Sequence, residues 1–132
     1  MRHIPLVVLA LLGVLNLVRG AIHAFAPDGG AHSIAGLDLS EARETILALF
    51  AAIGLMQMTL GAFQLFVVAR MRALISLFLA LQAVQTALTL ANLYLWRSLP
   101  VEVPGQPFNA AALVIILIAL AISLKTRATP PA

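Results

Sequence analysis

The chain has 132 residues, of which 62% are hydrophobic and 10% are charged, whereas a soluble domain has about 25% charged residues. Its formal net charge of +3 does not indicate a nucleic-acid-binding protein, because the basic residues lie at the ends of apolar segments, where positive charge sets membrane topology. The chain has no cysteine, which excludes dithiol redox chemistry, thiolate metal sites and iron–sulfur clusters.

Four apolar segments are each long enough to cross a bilayer, which takes about 20 mostly apolar residues. Together they use nearly the whole chain, so we expect one membrane domain over residues 1–132. The predicted fold is all-α, a four-transmembrane-helix bundle. The predicted spans are at about residues 4–25, 43–69, 73–96 and 107–124.

The first segment also has features of a cleaved signal peptide. An N-terminal arginine, an apolar run and the sequence Ala24-Phe25-Ala26 fit that pattern. However, Asn16, Arg19 and His23 lie between the apolar run and the cleavage motif, which makes a poor cleavage region. We therefore interpret this segment as the first span.

The sequence Arg70-Met71-Arg72 separates spans two and three. One helix over residues 46–96 would be about 76 Å long at 1.5 Å per residue, more than twice the bilayer core. The chain must therefore turn back here, and we expect spans two and three to form a tight antiparallel hairpin. The turn and both termini then share one side, which the positive-inside rule predicts to be cytoplasmic. The basic residues on that side are Arg2, Arg70, Arg72, Lys125 and Arg127.

Two loops, at about residues 26–40 and 97–106, are predicted to lie on the outer side. The first opens with a turn signal, Pro27-Asp28-Gly29-Gly30. Asp38 with Glu41 three residues later indicates a capping box for the second helix, which would then start near Leu39.

Polar residues recur at helical spacing in the first three spans, whereas Leu113–Ile122 in span four is apolar throughout. Spacings of three, four and seven share one face of a helix. Because polar groups are costly against lipid, these faces should point at one another and form a polar crevice that opens outward. The candidate ligand-binding residues are Asn16, Arg19, His23, Glu44, Gln57, Gln64, Gln82, Gln85, Thr89, Asn92 and Trp96.

Span three carries small residues on the side opposite its amides, which lets helix backbones approach closely in lipid. We therefore place span three at the centre of the bundle. The small residues are Ala80, Ala83, Ala87 and Ala91.

A structural interpretation of the polar stripe competes with the binding interpretation. Amides between membrane helices commonly stabilise packing, by about 0.6 kcal/mol each. Arg19 would then pair with Glu44 or Glu41 near the outer surface. We expect no metal site and no cofactor, because His23 has no second histidine within the spans.

The chain is small, has four spans, and carries the charged sequence Glu41-Ala42-Arg43-Glu44 before span two, followed by a helix with Gly54 and Gly61. In these features it resembles the DoxX-like group of small bacterial four-helix membrane proteins. The resemblance covers most of the chain but has few motifs. It implies a multi-pass protein of the bacterial inner membrane, in a group of which some members are associated with membrane oxidoreductase complexes. It assigns no catalytic residue.

Two functional hypotheses follow from these patterns. The first is a non-catalytic accessory or scaffold subunit that binds a larger membrane complex, or a second copy of itself, through span four and the alanine face of span three. The alternative is a binder or transporter of a small amphipathic or anionic molecule, such as a quinone, a lipid or a solute. An enzyme is the weakest reading, because general acid–base catalysis needs a positioned titratable group and only His23 and Glu44 are candidates.

Overall fold

The computed structural model describes residues 3–97, 104 and 106–128, and all regular secondary structure within them is helical. The main helices are α1 (Ile4–Phe25), α2 (Arg43–Arg70), α3 (Ile75–Ala91) and α4 (Gln106–Ala128). A short 3₁₀ turn, Arg72–Leu74, precedes α3, and a π-helical turn, Asn92–Trp96, continues it. The predicted outer loop at about 97–106 lies largely outside the described residues.

All four helices are long and apolar enough to cross a membrane, if the turns on either side of α3 are counted with it. The prediction of an all-α fold with four membrane-spanning helices is therefore confirmed. This is the architecture of a multi-pass membrane protein.

The helices pack as two pairs. α1 lies along α2, and α3 lies along α4, while α1 also contacts α4 and α3. The chain does reverse at Met71, but α2 and α3 then contact each other much less than α1 and α2 do. The prediction that spans two and three form a tight hairpin is therefore wrong. The hairpin does not form because α2 packs its glycines against α1 instead of against α3.

The contact between α1 and α2 is made by four glycines, which we call the glycine seam. Gly13 faces Gly61, and Gly20 faces Gly54, as antiparallel helices with a shared spacing of seven residues require. A Cβ atom built on Gly20 would lie 2.5 Å from the carbonyl oxygen of Gly54, and one on Gly54 would lie 2.6 Å from that of Gly20. Only glycine allows the two backbones to approach so closely.

An apolar core lies between the four helices. Leu9 from α1, Val67 from α2, Leu79 from α3 and Ile116 from α4 are all at most 2% exposed. We call these four side chains the apolar plug. Ala83 also packs into this core, whereas Ala87 of the same predicted stripe is exposed.

The start of α2 differs from the predicted capping box. The helix begins at Arg43 and is preceded by Ala42 in the left-handed conformation, with a φ of 52°, and no side chain caps it. Asp38 instead accepts a hydrogen bond of 2.8 Å from the backbone N–H of Ser40. Its carboxylate is thus used within the loop, which is why it does not reach the helix.

Residues 26–37 fold into a compact loop against the ends of α1 and α2. The Asp28 carboxylate accepts hydrogen bonds from the backbone N–H groups of Gly30, at 2.9 Å, and Ser33, at 2.7 Å. These bonds favour the charged form and lower the pKa of Asp28 from 3.8 to about 2. Ala31 and Ala35 of this loop are themselves buried.

We expect acidification to loosen this loop. The lowered pKa means that the charged carboxylate stabilises the loop above the unfolded pKa of about 4, and that this stabilisation is lost as the pH falls through about 2. Hydrogen exchange at Gly30 and Ser33 measures it directly. Asp28→Asn should lower their protection at neutral pH and abolish its pH dependence, whereas Asp38→Asn serves as the matched control. Equal protection at pH 5 and pH 2, after correction for intrinsic exchange rates, would contradict the expectation.

Candidate functional site

Three amide side chains from three helices meet inside the bundle, and we call them the amide cluster. Asn16 Nδ2 on α1 donates to Gln64 Oε1 on α2, at 2.9 Å, and to Gln82 Oε1 on α3, at 3.2 Å. Gln64 Nε2 also donates to Gln82 Oε1, at 2.7 Å. Gln64 is fully buried and Gln82 is 8% exposed. The polar faces of the first three helices therefore do point at one another.

The cluster extends one turn along α3. Gln82 Nε2 donates to the hydroxyl of Thr86, at 3.3 Å, because residues four apart are neighbours on a helix. Most of the polar atoms of the cluster are thus satisfied by one another. An interior network of this kind fixes the position of helices, and we assign the amide cluster a structural role.

A small polar cavity of about 90 Å³ adjoins the cluster. It has room for a few water molecules or for the polar head of a ligand. The Oε1 atom of Gln57 is buried at this level and has no hydrogen-bond partner among the described residues. The residues that line the polar cavity are Asn16, Arg19, Gln57, Gln82, Gln85, Thr86, Thr89 and Asn109.

Arg19 lies at the edge of this cavity, and its described partner is not the predicted one. Its Nη1 donates to Oδ1 of Asn109 on α4, at 3.3 Å. Glu44 lies in the first turn of α2 with its side chain 90% exposed, 3.6 Å from Arg43. That is the sole ion pair found within the described residues. The expected pairing of Arg19 with Glu44 or Glu41 is therefore not observed there.

Asn109 is the site residue that the sequence pattern did not reveal. It follows Pro107 by two residues, at the start of an otherwise apolar helix. A single polar residue has no periodicity, so it could not be distinguished from a residue at a helix end. Its position beside Arg19 makes α4 part of the site.

A larger, mainly apolar cavity of about 530 Å³ lies on the other side of Arg19. Arg19 and Asn109 belong to the walls of both cavities. The other walls of the apolar cavity come from α1, α4 and the first loop. The lining residues are Leu15, Arg19, Ile22, His23, Ile34, Phe108, Asn109, Ala111, Ala112 and Ile115.

His23 holds the first loop in place at this end. Its Nδ1 lies 2.7 Å from the carbonyl oxygen of Gly29, so Nδ1 carries the proton that this bond requires. The edge of its ring packs against Phe50 on α2, with centroids 5.3 Å apart. Within the described part of the chain, no group of three or more His, Asp or Glu side chains could hold a metal ion.

The remaining predicted residues of span three lie either in α3 or in the π-helical turn that follows it, and only those in α3 reach the polar cavity. Gln85 and Thr89 line the polar cavity, whereas Asn92 and Trp96 do not. Trp96 is 65% exposed. The π-helical turn has more residues per turn than an α-helix, so Trp96 at its end leaves the face predicted at α-helical spacing. Asn92 lies at the start of the turn and is not displaced by it.

A second polar contact lies toward the opposite end of the bundle. Ser76 on α3 and Ser123 on α4 are both buried, and their hydroxyl oxygens are 2.7 Å apart. Lone serines resemble small packing residues in a sequence, so this pair was not predicted.

Comparison of the chain with protein-family models, with curated proteins and with solved structures gives no match. The functional conclusion therefore depends on the geometry around Arg19.

Proposed function

We propose that the protein binds a small amphipathic molecule beside Arg19. The observation that carries the proposal is the shared wall of the two cavities: a polar and an apolar cavity meet at Arg19 and Asn109. Ligand sites in proteins are typically apolar cavities of about 300–1,000 Å³ with a few placed polar groups. A head group would occupy the polar side and an apolar body the other.

The guanidinium group sets the chemistry of the head group. It has five N–H donors in a planar fork, and one nitrogen, Nη1, bonds to Asn109 among the described residues. Such a group binds carboxylate or phosphate oxygens in pairs and also donates to carbonyl oxygens. Gln85 and Thr89 add polar side chains at the exposed rim of the polar cavity. A lipid, a quinone or an anionic solute meets these requirements.

The apolar plug favours binding over transport along the bundle axis. Leu9, Leu79 and Ile116 are all 0% exposed and lie in one packed cluster. Such a close-packed apolar layer leaves no hydrated route from the amide cluster toward the Ser76–Ser123 pair at the other end. A ligand at Arg19 would therefore enter and leave on the same side.

An accessory or scaffold subunit is the alternative function. The exposed apolar side chains of α4, such as Leu117 and Ile118, and the exposed Ala87 of α3 suit a contact with another membrane protein. They suit contact with lipid equally well, so they do not favour a partner. The Arg19 site therefore supports ligand binding more strongly.

We further propose a bacterial inner-membrane location, as the resemblance to the DoxX-like group suggests, with both termini in the cytoplasm, as the positive-inside rule predicts. His3, Arg72 and Thr126 line one cavity, so the turn between α2 and α3 and the ends of α1 and α4 share one end of the bundle. Single-cysteine labelling tests this cleanly, because the chain has no cysteine. Ser33→Cys should react with an impermeant thiol reagent on intact cells, and Met71→Cys should react after lysis alone. The reverse pattern would overturn the orientation.

Native mass spectrometry of gently extracted protein tests the binding proposal. We expect a defined bound mass in the wild-type protein that is lost in Arg19→Gln, because the head group loses its guanidinium partner. Arg70→Gln, at the opposite end of the bundle, is the matched control and should retain the bound mass. A bound mass unchanged in Arg19→Gln would contradict the proposal. Co-elution with larger subunits and no small-molecule mass would also contradict it, and would favour the accessory-subunit alternative.

A further inference from the structure

The apolar cavity beside Arg19 continues along the bundle. A second cavity of about 200 Å³ lies deeper between α1 and α4, and both cavities have Leu15, Ala112 and Ile115 in their walls. The deeper one is lined entirely by apolar side chains, from Val8 and Leu11 on α1 to Ile116 on α4. The two cavities thus form one continuous surface, which we call the α1–α4 groove.

The groove is long. On α1 it extends from Ile22 to Val8, which is about 21 Å at 1.5 Å per residue. α1 and α4 still contact each other, but less closely than α1 and α2 do. Leu12, half-buried, and Ile116, fully buried, lie at its inner wall.

The groove opens toward the bilayer. Leu11 is 64% exposed, Leu15 is 47% exposed and Ile115 is 54% exposed. Its polar side chains, Arg19, His23 and Asn109, all lie at one end. An occupant must therefore have an apolar chain of matching length with a single polar group at one end.

We infer that the ligand is an amphiphile whose anionic or carbonyl head binds at Arg19 and whose hydrocarbon chain lies along the α1–α4 groove. This inference rests on the proposed function, since it places the head at the same residue. Charge complementarity supports it, because Arg19 has no carboxylate partner within the described residues. Because the groove is open along its side, the chain enters laterally from the bilayer rather than from water.

A chain-length series tests the inference on the unaltered protein. The probes are saturated fatty acids of increasing length and, in a separate arm, quinones with increasing numbers of isoprene units, measured by native mass spectrometry in detergent. We expect affinity to rise with chain length until the chain fills about 21 Å of groove, and then to level off. The arm that binds more tightly identifies an acyl or a prenyl chain. Affinity that does not depend on chain length would overturn the inference.

A blocking variant separates this inference from the proposed function. Ala112→Phe fills the groove where its two cavities meet and leaves the polar cavity unaltered. Affinity for the long-chain fatty acid should fall by about tenfold or more, because several methylene groups lose their apolar contacts, while octanoate should still bind. Ala121→Phe, on an exposed part of α4 outside the groove, is the control.

The outcomes are distinguishable. If Arg19→Gln abolishes binding and Ala112→Phe leaves long-chain affinity unchanged, the head site stands and the groove assignment is wrong. If Arg19→Gln has no effect on any probe, the proposed function itself is wrong.

Discussion

Gly20→Ala and Gly54→Ala should each destabilise the protein by about 3 kcal/mol, at the upper end of what overpacking costs. A Cβ atom on Gly20 would lie 2.5 Å from the Gly54 carbonyl oxygen and 2.8 Å from the backbone nitrogen of Met58. One on Gly54 would lie 2.7 Å from the backbone nitrogen of Ala24. Because these neighbours are helix backbone, they cannot move without separating α1 from α2.

The same seam provides a graded control. A Cβ atom on Gly13 would first meet the flexible side chain of Leu65, at 2.9 Å, and would lie 3.1 Å from the Gly61 carbonyl oxygen. Gly13→Ala should therefore cost clearly less than Gly20→Ala. Ala62→Leu, on an exposed face of α2, adds volume without touching the seam and should be nearly neutral. Unfolding in detergent, by heat or denaturant, gives the free energies. Equal stabilities for Gly13→Ala, Gly20→Ala and Ala62→Leu would show that the seam is not tightly packed.

Gln64→Leu should be the most damaging change in the amide cluster, at about 2 kcal/mol. Gln64 is fully buried, accepts from Asn16 and donates to Gln82. Its loss removes two of the three hydrogen bonds of the amide cluster and leaves one N–H of Asn16 and one lone pair of Gln82 Oε1 without their partners, while the bond between Asn16 and Gln82 remains. Replacing all three residues of the cluster with apolar side chains should recover much of this cost, because no unpaired group is then left behind.

Gln85→Leu is the matched control for that experiment and separates stability from binding. Gln85 is exposed, and its side chain lines the polar cavity without belonging to the amide cluster. The Gln85→Leu variant should therefore unfold like the wild-type protein but bind the ligand more weakly. A Gln85→Leu variant as unstable as Gln64→Leu would place both residues in the packing network, and the distinction drawn between cluster and cavity would be lost.

Helical periodicity could predict the site residues that lie on regular α-helix. Asn16, Gln64 and Gln82 each lie on a polar face at α-helical spacing, and they do meet. Trp96 was assigned to the same face by the same rule, but the π-helical turn breaks the spacing before it. Nothing in the residue types of 92–96 announces such a turn, because its geometry depends on hydrogen bonding along the backbone.

Which helices pack against each other was harder to predict than which face of each helix is polar. The seven-residue spacing of Gly13 with Gly20, and of Gly54 with Gly61, is visible in the sequence, but it does not say that the two pairs face each other. Chain connectivity favoured α2 with α3, since one short turn joins them. The close backbone approach of α1 and α2 outweighs that proximity along the chain. Asn109 was missed for the related reason that its partner lies on a distant helix.

The pairing of the helices has a consequence for how the chain enters the membrane during synthesis. α1 and α2 come first, and they already contain the whole glycine seam and the hydrogen bond between Asn16 and Gln64. The first hairpin can therefore move into lipid with two of its amide side chains, those of Asn16 and Gln64, paired, which lowers the cost of inserting them. Gln82 emerges later, and its Oε1 finds two N–H donors in place, from Asn16 and from Gln64. The order of the helices along the chain thus lets each new polar group meet a partner as it arrives.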